Sequence, residues 1–236
     1  MTYVLVHGGG FAGSCWDPLL EHLDAPAVAV DLPGRGSRPA DLTALSIGDF
    51  ADAVVEAIGD RYDVVLVGHS LAGVTLPQVL GRIPDRIRHA VFVSCSVPEQ
   101  GTAVFEILAT FGPVAAEVVE HIGDAALTDD GRLHADLATA MFCTEMTDAQ
   151  RTYTIGRMVP EAIGPVFEPV DLSGLREDIP RTYVRLLRDA SLDLATQDRM
   201  IANLGDVDVV DLDAGHMAMI SHPAELAAVL QRIAGA

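Results

Sequence analysis

The sequence predicts an α/β protein: a six-stranded, mostly parallel sheet with helices on both faces and a helical insertion. Three observations predict it. Short apolar, β-branched runs recur along the chain, and each is apolar at nearly every position, as in strands buried on both faces. Helical stretches alternate with these runs. One long interval, residues 97–180, contains no convincing strand. At 236 residues and 50% hydrophobic content, the chain can form one domain, or one domain with an inserted subdomain.

Tyr3-Val4-Leu5-Val6 is the first strand, and His7-Gly8-Gly9-Gly10-Phe11 follows it. Successive glycines let a main chain approach a ligand closely and present N–H donors to it; a flexible turn leading into a helix at 16–23 would use the same residues. Ala27-Val28-Ala29-Val30-Asp31 is the second strand, and Leu32-Pro33-Gly34-Arg35-Gly36-Ser37-Arg38-Pro39 is a turn-rich loop. Ile47, Phe50, Ala51, Val54, Val55 and Ile58 recur at helical spacing and predict a helix over 47–59. The run Val64-Val65-Leu66-Val67 is the third strand. It is interrupted by Gly68-His69-Ser70, and a helix is predicted over 71–82, kinked at Pro77.

Ala90-Val91-Phe92-Val93-Ser94-Cys95 is the fourth strand. The interval after it reads as helices broken at Pro113, Gly123, Gly131, Pro160, Pro165 and Pro169. Strands at 182–187 and 207–212 follow, then a helix from Pro223 with proline in its first turn. Residues 1–96 and 181–236 are expected to form the core and 97–180 a cap. Such an insertion leaves the carboxyl ends of the strands, where open α/β sheets bind ligands. Phe105, Ile107, Leu108, Phe111, Met141, Phe142, Met146, Met158 and Phe167 are its apolar stock, with only a few expected to line a pocket.

A formal net charge of −19 argues against nucleic acid or anionic membranes as partners, because phosphates would be repelled. Cys15, Cys95 and Cys143 are odd in number and widely spaced, which suits free thiols in a reducing compartment. No leader pattern and no membrane-length apolar run is read, so a cytoplasmic location is expected. No metal or cofactor is expected.

The chemistry centres on Ser70. A serine on a sharp strand-to-helix turn projects its hydroxyl from the sheet edge, and the next amide, that of Leu71, faces the same space. The common pattern is G-x-S-x-G; here Gly68-His69-Ser70-Leu71-Ala72 carries alanine last. A serine hydroxyl needs a base and a group that orients the base. Of eight histidines, His216 is favoured, because it lies just past the last strand at the same sheet edge. His69 should point away, and His7 should brace the glycine loop. His22, His89, His121 and His134 lie in helical or linker context, and His222 begins the last helix. Position favours Asp189 as the orienting acid, shortly after the fifth strand, with Asp193 as the alternative; Asp211 and Asp213 read as loop or strand-end carboxylates.

These motifs resemble the α/β-hydrolase superfamily, and more narrowly its hydroxynitrile lyase and plant methylesterase branch with bacterial relatives. Tyr3-Val4-Leu5-Val6-His7-Gly8-Gly9, Ser14-Cys15-Trp16, Asp31-Leu32-Pro33-Gly34, Gly68-His69-Ser70-Leu71, Phe92-Val93 with Val97-Pro98, and Ala214-Gly215-His216-Met217 carry the likeness in order. The resemblance implies Ser70 as nucleophile, His216 as base, Asp189 as its carboxylate, and the Gly9 and Leu71 amides as an oxyanion hole. It places Phe11, Leu71 and Met217 near the pocket; apart from the resemblance, Phe142 of the insertion's apolar stock is expected as a further substrate contact. Lyases of this branch have threonine after the loop histidine and lysine after the catalytic one. Gly8 and Met217 stand in those places and favour ester hydrolysis over cyanohydrin cleavage. The expected partner is a small-molecule ester, handled through an acyl-enzyme. Rival readings are a lyase or biosynthetic cyclase on the same residues, or a ligand-binding receptor. A homodimer is compatible with the reading.

Overall fold

The computed structural model describes residues 1–112, 127–175 and 178–235. Six strands, β1 (Thr2–Val6), β2 (Ala27–Val30), β3 (Val64–His69), β4 (Ile87–Val93), β5 (Arg181–Leu186) and β6 (Asp208–Leu212), form one sheet in the order β2-β1-β3-β4-β5-β6. Every neighbouring pair is parallel. The register aligns Val6 with Gly68, His69 with Val93, and Leu186 with Leu212. The residues that follow these strands therefore emerge at one rim.

Alternation along each strand splits the core in two. Val4, Val6, Val64, Leu66, Ala90 and Phe92 face one apolar cluster, while Tyr3, Leu5, Val65, Val67, Val91 and Val93 face the other. A parallel sheet needs such cover on both faces, since each face is apolar. The longer helices supply it: α1 (Ile47–Ile58), α2 (Leu76–Arg82), α3 (Ala135–Phe142), α4 (Asp148–Gly156), α5 (Leu194–Leu204) and α6 (Pro223–Gly235). Helices α1, α2 and α5 contribute to the first cluster, α3 and α6 to the second. The Ser46 hydroxyl caps α1 by accepting the Asp49 N–H, and the Asp49 carboxylate accepts the Ser46 N–H in return. Such a cap contributes about 1 kcal/mol.

Several elements differ from the sequence expectation. The helix expected over 16–23 is a 3₁₀ turn, Gly13–Trp16, followed by one helical turn, Asp17–Leu20. The helix expected over 71–82 is a 3₁₀ segment, Ser70–Val74, and then α2. Pro77 does not kink α2; it stands in its first turn, where its missing N–H would have had no partner. Strand β4 begins and ends earlier than expected, so Ser94 and Cys95 lie past its end. Helix α5 went unread. Between β4 and β5 the described residues hold helices and two isolated antiparallel bridges, Ala103 with Pro169 and Leu127 with Leu133. Pro113, His121 and Gly123 lie outside the described residues. Among the described residues no helix is long and apolar enough to cross a membrane.

Candidate active site

Ser70 sits at the sharp turn where β3 meets the Ser70–Val74 segment, with φ at +52°. A non-glycine residue in that region is strained, and the surrounding packing must hold it there. Two glycines allow the turn. A Cβ on Gly68 would lie 2.7 Å from Leu76 Cδ1, and one on Gly73 would lie 2.3 Å from the Ser96 carbonyl oxygen. Ala72, in the place of the common glycine, is buried without conflict, because the close approach falls one residue later.

Three side chains from separate strand ends meet at Ser70. His216 Nε2 is 3.0 Å from Ser70 Oγ, and His216 Nδ1 is 2.6 Å from Asp189 Oδ2. A carboxylate can only accept, so the imidazole proton belongs on Nδ1, and Nε2 is left to accept the Ser70 hydroxyl. Asp189 is held on all sides. Its Oδ2 also accepts the Ser94 hydroxyl at 2.7 Å, and its Oδ1 accepts the Ser191 and Leu192 amides at 2.7 and 2.9 Å. Ser94, just past β4 with φ at +40°, was not singled out from sequence. A serine among Val93-Ser94-Cys95-Ser96 carries no signal until β4 and β5 are paired.

The alternative acids are occupied elsewhere. Asp193 caps α5 by accepting the Thr196 N–H. Asp211 pairs with Arg185 and Asp213 with Arg188 on the surface. His69 points away from the cavity and lies against His216, with ring centroids 4.6 Å apart. Its Nε2 donates to the His216 carbonyl at 2.9 Å. Burial, and then His216 itself, hold its pKa well below the usual value, so it is neutral. His7 braces the glycine loop: Nδ1 donates to the Gly8 carbonyl and Nε2 accepts the Leu32 N–H. Burial lowers its pKa to about 4.

A cavity of about 400 Å³ opens over Ser70. Gly9, Ser70, Leu71 and His216 form its floor, and Phe105, Leu108, Phe111, Met141, Phe142 and Phe167 stand in its wall. More of the aromatic and methionine stock lines the cavity than the sequence suggested, while Met146 and Met158 pack into the core. Phe142 reaches the cavity and stacks on the His216 ring at 5.5 Å. Phe11 and Met217, expected near the pocket, stand behind its wall. Each is only 1% exposed and absent from the wall; Phe11 packs edge-on behind Phe142, and Met217 is part of the core. The Ser96 hydroxyl, on a residue of the cavity lining, has no hydrogen-bond partner among the described residues.

Among the described residues, one charged carboxylate enters this apolar space. Glu161, from the segment between β4 and β5, accepts the Gly10 N–H with Oε2 and pairs through Oε1 with Arg35 from the loop after β2. The Gly10 carbonyl accepts the Val159 N–H at 2.9 Å, so both sides of that loop residue are tied to the same segment. Burial lowers the Arg35 pKa to about 10, which leaves it charged at neutral pH. Neither residue was singled out from sequence. A larger open groove of about 790 Å³, lined by Glu99, Gln100, Asn203 and Asp206 among others, shares no residue with the cavity over Ser70. Among the described residues no group of three or more His, Cys, Asp or Glu is placed to hold a metal ion.

An all-parallel sheet with a strained serine after β3 and a histidine after β6 defines the hydrolase class built on this topology. The chain belongs to the alpha/beta hydrolase family, whose model matches residues 3–229. Among curated proteins it is 30% identical to Methylesterase 9 of Arabidopsis thaliana over 98% of this chain and 97% of that protein. It is 27% identical to a pyrethroid hydrolase of Sphingobium wenxiniae, over 99% of this chain and 87% of that protein. Among solved structures, an extracellular alpha/beta-hydrolase from a Paenibacillus species superposes with a TM-score of 0.82 at 24% identity, covering 99% of this chain and 98% of that one. The relatives support a hydrolase of esterase type.

Proposed function

We propose that the protein is a serine esterase that cleaves an uncharged, largely apolar carboxylic ester through an acyl-enzyme. The observation that carries this reading is the continuous chain of hydrogen bonds from Ser70 through His216 to Asp189 beneath an apolar cavity. Ser70 Oγ attacks the ester carbonyl while His216 Nε2 takes its proton. The N–H groups of Gly9 and Leu71, both at the cavity floor, face the developing oxyanion. Asp189 holds the Nδ1 tautomer and stabilises the imidazolium. His216 then protonates the leaving alcohol and activates a water molecule, which releases the acid.

In this reading residues 1–96 and 181–236 are the catalytic core, and 97–180 form a cap that sets the acyl pocket. Phe142 contacts substrate from the cap. The lining is dominated by hydrocarbon. The buried thioether of Met217 supplies no cation for a departing cyanide, which favours ester hydrolysis over cyanohydrin cleavage. Three unpaired, buried thiols suit a cytoplasmic location.

A fluorophosphonate probe tests the assignment. The expected result is stoichiometric labelling with the modified residue mapped to Ser70, together with turnover of p-nitrophenyl butyrate. Labelling elsewhere, or mandelonitrile cleavage without ester turnover, would refute it.

A further inference from the structure

Among the described residues two carboxylates lie near Ser70, and the esterase mechanism uses only Asp189, behind His216. Glu161 stands in the cavity wall, against the proposed oxyanion hole. A Cβ on Gly9 would stand 2.9 Å from Glu161 Oε2 and 3.4 Å from Leu71 Cδ2. The carboxylate is not free to swing away. Oε1 is held by Arg35 and by the Ala162 N–H at 2.8 Å, and Oε2 by the Gly10 N–H. The pair is also oriented. The Arg35 side chain is 1% exposed and lies outside the cavity wall, while the Glu161 side chain is 17% exposed and belongs to the wall. The guanidinium sits over the Phe50 ring at 4.9 Å and donates to the Pro33 carbonyl. The cavity therefore meets the negative end of a fixed ion pair, in surroundings where charge is weakly screened.

We propose that Glu161 is a specificity-determining residue that excludes carboxylates from the Ser70 site, admitting neutral esters and expelling the ionised acid they yield. This rests on the esterase reading, and the physics separates its species. Hydrolysis converts an ester and water into a carboxylate, an alcohol and a proton. The ester is neutral. The tetrahedral intermediate carries an oxyanion, but the His216 imidazolium beside it leaves that pair with no net charge. Once His216 has returned its proton to Ser70 and the acid has released its own to solvent, the product carboxylate has no such partner and, among the described residues of the cavity lining, meets Glu161 as the charged side chain. A fixed negative group beside the oxyanion hole thus weighs on the product more than on the intermediate.

The test compares two ligands of one shape, 4-phenylbutyrate and 4-phenylbutyramide, by calorimetric titration of the whole protein. In the wild type the carboxylate should bind at least about tenfold more weakly than the amide. Glu161→Gln alone leaves Arg35 buried and unpaired, so the decisive variant is Arg35→Met/Glu161→Gln. It removes both charges and keeps an acceptor for the Gly10 N–H. There the two ligands should differ by less than about threefold, chiefly because the acid binds more tightly. Equal affinities in the wild type would overturn the proposal even if the variant did not fold, as would failure of the amide to bind. An unchanged gap in the double variant would overturn it too. Ester turnover is measured separately: its absence would end the esterase reading while leaving the charge contrast standing, and a missing contrast in an active esterase would end this inference alone.

Discussion

Asp189 and Glu161 are the same kind of group near Ser70, one behind His216 and one in the cavity wall, and their surroundings separate them. Asp189 comes from the loop after β5 and is enclosed by neutral donors, two amides and the Ser94 hydroxyl, with His216 as its fourth partner. Glu161 comes from the segment between β4 and β5, meets a buried guanidinium, and keeps part of its surface in the cavity. The first environment stabilises a charge that never meets substrate but can act through an imidazole. The second presents a charge to whatever enters. A carboxyl group becomes catalytic machinery or filter according to what stands between it and the reacting atoms.

This contrast orders the expected effects. Ser70→Ala should reduce kcat for p-nitrophenyl butyrate by about 10⁴-fold or more, with the melting temperature nearly unchanged. Turnover surviving in that variant would make both carboxylates bystanders. On the Asp189 side, Asp189→Asn should cost up to about 10⁴-fold in kcat with little change in KM, because the amide favours the wrong imidazole tautomer. A change confined to KM would put Asp189 on the substrate side, with Glu161. Ser94→Ala removes one charge-assisted hydrogen bond from Asp189 and should lower kcat about tenfold, recovered in Ser94→Thr if the hydroxyl is what matters. Steady-state kinetics across pH should show the same variant shifting the acidic limb of the kcat profile, where the base is protonated, which a purely structural defect would not do.

The smallest effect concerns stability. His7 is neutral in the folded protein, with a pKa near 4 against about 6.5 when unfolded. Between those values the unfolded chain binds a proton that the folded chain refuses, so stability is fully present above pH 6.5 and falls as pH drops towards 4. The loss from this residue amounts to about 3 kcal/mol at most. Thermal melts at pH 7 and pH 5 should show a smaller drop in His7→Gln, whose amide can still donate to Gly8 and accept from Leu32. An equal drop would place the acid sensitivity in other groups.

Much of the sheet was legible because buried parallel strands write themselves as unbroken apolar runs. Val64-Val65-Leu66-Val67 is such a run, and it ends at the turn that carries Ser70. Chain order brought His216 and Asp189 into view, since residues just past parallel strands must emerge at one rim. What escaped was set by pairing at a distance. Pro77 looked like a helix breaker until the helix proved to start beside it. Phe11 and Met217 had the chemistry of a pocket wall but pack behind it.

By itself, then, the sequence determined the α/β class, the six strands, and Ser70 and His216 at one rim with Asp189 favoured over Asp193, because each rests on local pattern or on the order of elements. Only the tertiary structure decided that Ser94 supports Asp189, that Asp193 caps a helix, and that Glu161 backed by Arg35 looks into the cavity. Two of those contacts join residues far apart in sequence, the 95 positions between Ser94 and Asp189 and the 126 between Arg35 and Glu161, while the Asp193 cap depended on where α5 begins. Periodicity reports which face of an element is buried. Which polar group on a distant loop will meet another is settled by how the layers pack.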